Sequence, residues 1–354
     1  MLEILQKWYQ RIFFKEEAIL LSVLLVLALV LLLTVGDILT PVLAAIVLAY
    51  LVEGLGSRMT AYGFPPWLAL TVSFLVFAGL FFGFLLLVFP LIWRQLLGLF
   101  QELPAMIDQV NTWLVVLPAQ YPQLISEAQI AQVVDFAQAE LARFGPSVLS
   151  FSLASIPLLV GVLIYLILVP LLVFFFLKDR SIILNWLSGF LPSERPLLSR
   201  IWREMNEQVS NYARGKVIEI LIVGAASYLA FLWLGLNYAA LLGVFVGLSV
   251  IVPYVGAIVV TIPVFLIGLF QWGFGTEFYW LMVVYLLIQI LDGNVLVPLL
   301  FSEAVNLHPA AIVLAVVFFG GIWGMWGVFF AIPLATLVKA VINAWPKPEQ
   351  NPLE

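Results

Sequence analysis

Residues 238–270 read YAALLGVFVGLSVIVPYVGAIVVTIPVFLIGLF and carry no charged side chain. As one α-helix this run would measure about 50 Å, whereas the hydrocarbon core of a bilayer is about 30 Å thick. The run must tilt steeply or break. Pro253 with Gly256, and then Pro263, supply the places to break. Residues 309–342 show the same excess of length, with Gly320, Gly321, Gly324, Gly327 and Pro333 inside them. The two runs also resemble each other. Leu236-Asn237-Tyr238-Ala239-Ala240-Leu241 lines up with Leu307-His308-Pro309-Ala310-Ala311-Ile312, and Ile262-Pro263 with Ile332-Pro333. This reads as a weak internal repeat, spans five and six echoed by seven and eight. Interrupted apolar segments in matching halves point to a transport site, because unwound backbone can coordinate solute. The plainer account is that glycine and proline are frequent in membrane helices.

Composition agrees with a membrane setting. Of 354 residues, 64% are hydrophobic and 10% charged. A soluble domain carries roughly 25% charge and has no means of hiding this much apolar surface. Cysteine is absent and His308 is the only histidine, so no metal centre or other cofactor is expected. The net charge of −5 gives no reason to expect nucleic acid.

With about 20 apolar residues per crossing, the chain divides into about eight transmembrane helices, an all-α polytopic architecture. Residues 1–93 hold an N-terminal arm and spans one to three (18–35; 38–52 after a Gly36-Asp37 break; 67–93). Residues 94–147 form an amphipathic helical insert, broken at Pro104, Pro118 and Pro122. In it Leu124, Ala128, Val133, Val134, Ala137, Leu141 and Phe144 recur at helical spacing. Span four occupies 148–177, an amphipathic charged segment 178–216, the core with spans five to eight 217–345, and a tail 346–354.

Basic residues favour cytoplasmic loops. Lys7, Arg11 and Lys15 mark the N-terminal arm, and Lys178, Arg180, Arg195, Arg200, Arg203, Arg214 and Lys216 the charged segment, with Lys347 in the tail. The insert has mostly acidic residues. Both termini are therefore expected in the cytoplasm and the insert outside.

Residues 217–338 contain no lysine or arginine, and their acidic residues are Glu219, Glu277, Asp292 and Glu303. An ionisable group at the bilayer centre costs about 3 kcal/mol or more, so it is a functional candidate by default. Asp292 is the sharpest, set among Gln289, Gly293 and Asn294 and followed by Pro298. The alternative is an interfacial carboxylate capping a broken helix. Glu219 fits a local ion pair slightly better than a proton relay. Pro253 and Gly256 fit a cavity-lining break about as well as a packing kink. His308 before Pro309 reads as a helix start.

No Gly-x-Ser-x-Gly elbow, His-Glu-x-x-His or phosphate loop is present, so neither an enzyme nor a nucleotide-driven pump is expected from this chain alone.

In order, Asn211 to Lys216, Val252-Pro253-Tyr254-Val255-Gly256, Gln289 to Asn294, Pro298, Val305 to Pro309 and Ala331 to Ala335 resemble the autoinducer-2 exporter (AI-2E) family, with the likeness covering essentially the whole chain. The chain departs from that family's pattern at Asp292, where members more often carry glutamate, and at Lys216, where glutamine is common. The resemblance implies a homo-oligomeric bacterial inner-membrane transporter. Members have been linked to export of autoinducer-2, others to sodium/proton exchange. The expectation is a permease for a small solute, an exporter. The alternatives are a cation/proton antiporter and a non-transporting membrane scaffold. Expected partners are the small-molecule or ion substrate, membrane lipid and further copies of the chain.

Overall fold

The computed structural model describes residues 16–120, 132, 156–192, 195–301 and 307–344, and all of its regular structure is helical. The N-terminal basic arm, the helical spacing over 124–144, Glu303, Asn306 and Lys347 lie outside the described residues. Among the described residues seven helical stretches are long and apolar enough to cross a membrane.

Helix α1 (Glu16–Ala61) stays helical through Gly36-Asp37, but it holds two separate stretches able to cross a membrane, Ile19–Gly36 and Ile38–Ala61, which divide where spans one and two are expected to. The helix bows. Near its start the Glu17 carboxylate accepts from Leu197 N–H at 3.0 Å, and further on the Tyr50 hydroxyl donates to Asn206 at 2.8 Å. Those α1 positions would stand about 50 Å apart on a straight helix, while their partners are separated by only about 15 Å of helix. Pro41, which removes a backbone donor, lies inside the bow. Beside Gly36 sits the indole of Trp323.

Helix α2 (Pro66–Gly83) begins after the Pro65-Pro66 turn, with proline at its first position, where a missing donor costs nothing. It passes through a π turn (Phe84–Val88) into α3 (Phe89–Gln120). Pro104 and Pro118 do not end α3, so at these two positions the insert is not broken as its prolines suggest. Helix α4 (Ile156–Lys178) completes a bundle with α1 and α2, packed through Ala45, Ala49, Val52, Phe77, Val169 and Val173. Short α5 (Arg180–Ser188) follows.

Helix α6 (Pro196–Leu234) joins the charged segment and span five in one rod across the 216–217 boundary. Helices α7 (Ala239–Ser249) and α8 (Val255–Trp272) form the first long apolar stretch, which does break, at residues 250–254. The break is a reversal. Gln271 near the end of α8 accepts from Asn237 N–H and donates to Gly235 C=O, both at 2.7 Å, so the stretch finishes where it started. A Cβ on Gly256 would collide with the Ser249 carbonyl oxygen across the turn. The outgoing arm α7 lies against α6, backbone to backbone, where Gly247 meets Ile220 O and Gly224 Cα.

Helix α9 (Thr276–Leu291) leads through a second π turn (Asp292–Leu296) into α10 (Val297–Phe301). Helix α11 (Pro309–Phe329) starts with His308 accepting from Ala310 N–H at 3.2 Å, as its place before proline implies. The second long stretch also doubles back, at Trp323 (φ −135°) and Gly324 (φ 56°), which sets Gly327 against the Phe319 carbonyl. Helix α12 (Ala331–Ala344) ends it beside Leu198 and Ile201 of α6.

The reversal at residues 250–254 therefore depends on a residue without a Cβ. Gly256→Ala is expected to destabilise the detergent-solubilised protein by about 1–3 kcal/mol. A lowered midpoint in thermal unfolding checks this, and an unchanged one would refute the packing described.

Candidate functional site

Lys216 ends the basic half of α6 and Glu219 lies one turn further on the same face. Both are buried, with side chains 5% and 2% exposed, and Lys216 Nζ donates to Glu219 Oε2 at 2.8 Å. It also donates to the Val250 carbonyl at 2.7 Å, at the turn of the α7–α8 hairpin. The Phe301 ring of α10 sits 5.4 Å from the ammonium, a cation–π distance. One buried cation thus holds three elements together.

Asp292 opens the π turn of the neighbouring helix. That turn is closed by the Val297 N–H reaching Asp292 O, a wider loop than an α-turn. The side chain is half-buried, and its Oδ1 is buried without a hydrogen-bond partner among the described residues. Asp292 interacts electrostatically with Lys216 and with Glu219. Two carboxylates therefore share one ammonium, and the group carries one formal negative charge in excess. A polar seam continues along the hairpin. The fully buried Tyr285 hydroxyl lies 2.8 Å from Thr261 Oγ1 and accepts from Gln289 Nε2 at 3.2 Å, and Thr261 donates to the Ala257 carbonyl at 2.6 Å.

The residues singled out from sequence separate into two groups. Asp292 and Glu219 join the charged cluster, Gln289 the seam, and Pro253 and Gly256 the hairpin turn. Asn294 does not join. It is exposed and its amide donates to Ile290 O at 2.9 Å within its own helix. Gly293 and Pro298 are exposed on the same side of the π turn. Lys216, Thr261, Tyr285 and Phe301 were not picked out. For Lys216 the available signal was its three-residue spacing from Glu219, at the start of a long interval without another cation.

A multi-pass helical protein that doubles two apolar stretches back on themselves and buries a charged cluster at one turn has the construction of a membrane permease. The chain belongs to the AI-2E family of transporters, whose model matches residues 20–347. It is 49% identical over 346 residues, covering 98% of each chain, to "Putative permease PerM" of Escherichia coli (strain K12). Two Bacillus subtilis (strain 168) proteins are more distant. "Putative transport protein YueF" is 28% identical over 80% of this chain and 78% of its own, and "Putative transport protein YrrI" is 23% identical over 88% and 87%.

Removing one member of a buried ion pair costs about 3–5 kcal/mol, whereas replacing both by apolar groups is often neutral. Glu219→Leu alone is expected to destabilise strongly, and Glu219→Leu with Lys216→Met to regain most of that loss. Thermal unfolding of the single and double variants completes the cycle, and additive losses would show that the pair is not coupled.

Proposed function

We propose that this transporter exports a small polar solute across the bacterial inner membrane, as a homo-oligomer with both termini in the cytoplasm, and that the solute passes the turn of the α7–α8 hairpin beside Asp292. The observation that carries this reading is the Asp292 oxygen, buried without a hydrogen-bond partner among the described residues and next to a paired Lys216 and Glu219. An unmatched buried carboxylate oxygen is costly, and a polar solute, water or a cation arriving there would satisfy it.

In the working cycle Lys216 serves as a catch. While it donates to Val250 O, the hairpin turn is held against α6. When the ammonium turns from Glu219 toward Asp292, that bond is released and the hairpin turn loses its polar tie to α6. Tyr254, at the turn, has φ 62° and is 61% exposed. A non-glycine residue in that region stores strain, as expected of a segment with a second arrangement available. Asp292, Glu219 and Gln289 line the proposed route, Pro253 and Gly256 shape the turn, and Gly293, Asn294 and Pro298 stand at its outer margin.

The second reading, a cation/proton antiporter, is favoured by the two carboxylates sharing one ammonium, since uptake of one proton or monovalent cation would neutralise the cluster. Reconstitution in liposomes separates the two. For the solute permease, Asp292→Asn lowers efflux of labelled polar organic solutes at least about tenfold, equivalent to about 1.4 kcal/mol, and a sodium gradient moves no protons. For the antiporter, sodium-dependent proton flux is present in the wild type and lost in Asp292→Asn. Full activity of that variant in both assays refutes the proposed site.

A further inference from the structure

At the basic end of α6, away from the charged cluster, arginines outnumber their partners. Arg180 of α5 pairs with Glu53 of α1. Arg214 of α6 approaches the same carboxylate, its Nη2 4.0 Å from Glu53 Oε2, while its Nε donates to Tyr50 O at 2.8 Å. Arg58, one turn beyond Gly54, acts electrostatically on Arg214 together with Arg180. Among the described residues no carboxylate stands within ion-pair distance of Arg58. Three guanidiniums from three elements therefore gather here, two of them on a single carboxylate.

Glu53 lines a cleft of about 210 Å³ between α1, α2 and the end of α4; Arg180 and Arg214 reach its edge through that carboxylate, and Arg58 directly follows the lining residue Ser57. Val52, Ala69, Leu70 and Leu177 make its walls apolar, and Ser57 and Thr60 put exposed hydroxyls on its lining. The helices beside it expose Leu75 (62%) and Leu171 (47%), surface suited to hydrocarbon. An apolar cleft on helices that expose such surface, with three guanidiniums gathered around the single carboxylate Glu53 in its lining, complements an amphiphile with an anionic head. A small soluble anion would leave the apolar walls unmatched.

We propose that this cleft binds the phosphate headgroup of an anionic phospholipid, held by Arg58, Arg180 and Arg214, with an acyl chain along Leu70 and Leu177. The bound lipid would tie the α1–α2–α4 bundle to α6 through the arginines of α5 and α6. Its phosphate would supply the negative charge that Glu53 alone does not.

Native mass spectrometry of the purified full chain, titrated with phosphatidylglycerol or phosphatidylcholine, tests this. Phosphatidylglycerol is expected to be retained and phosphatidylcholine lost. Arg58→Gln, an exposed position with no ion pair, should weaken phosphatidylglycerol binding about fivefold, the usual value of one basic side chain at an anionic surface, without lowering the unfolding midpoint. Arg200→Gln, about 20 Å along α6 from Arg214, should leave binding unchanged. Equal retention of the two lipids, or equal losses in the Arg58 and Arg200 variants, would overturn the proposal. Displacement of phosphatidylglycerol by millimolar inorganic phosphate would assign the site to a soluble anion and overturn it as well.

Discussion

An ammonium group inside a helical membrane protein has to find its partners within the protein, and Lys216 finds them on three separate elements. The carboxylate comes from its own helix, the carbonyl from the hairpin turn and the aromatic face from the helix after the π turn. Desolvating a charge costs several kcal/mol unless such partners are in place. The positions of α6, the hairpin and α10 are therefore mutually dependent in a way that apolar packing alone, which tolerates sliding, would not impose.

The apolar core is arranged around that constraint. Val223, Phe231, Val246, Val260, Leu281 and Tyr285 pack the hairpin between α6 and α9. A second cluster with Tyr212, Ile251, Phe301, Phe329 and Ile332 closes the basic side of Lys216. Water is thus kept from the ion pair by side chains drawn from both long apolar stretches. The Tyr285, Thr261 and Gln289 hydrogen bonds extend polarity further along the hairpin, so the groove between α8 and α9 is not purely apolar.

Much of this was legible in the sequence, for identifiable reasons. Excess length over bilayer thickness, with Pro253 and Gly256 in the middle, required the first long stretch to break, and it does. The same argument held for residues 309–342, where the chain turns at Trp323–Gly324, Gly324 being one of the interrupting residues. Gly36-Asp37 divides two apolar spans without ending the helix, and Pro104 does not end its helix either. A polar or cyclic residue lowers local helix preference by only a few kcal/mol, and tertiary contacts such as Trp323 against Gly36 outweigh that. Asp292 and Glu219 were visible because carboxylates are rare in apolar runs. Lys216 was hidden by its company, since it follows a series of interfacial basic residues and only the folded hairpin shows that it points inward. Asn294 was chosen for its proximity to Asp292 in sequence, yet its side chain binds its own helix.

The two amide contacts of Gln271 have a mechanical meaning. They fasten the open end of the hairpin to the α6–α7 corner, whereas among the described residues the turn has one hydrogen bond to α6, from Lys216, beside the apolar packing of Val250 and Ile251. Such an element is stiff in translation and compliant in rotation about its fixed end. With an arm of about 25 Å set by the length of α8, swinging it by roughly 10° displaces the turn by about 4 Å. That exceeds the diameter of a water molecule, so a swing of this size opens the turn once the packing of Val250 and Ile251 on α6 yields together with the Lys216 bond.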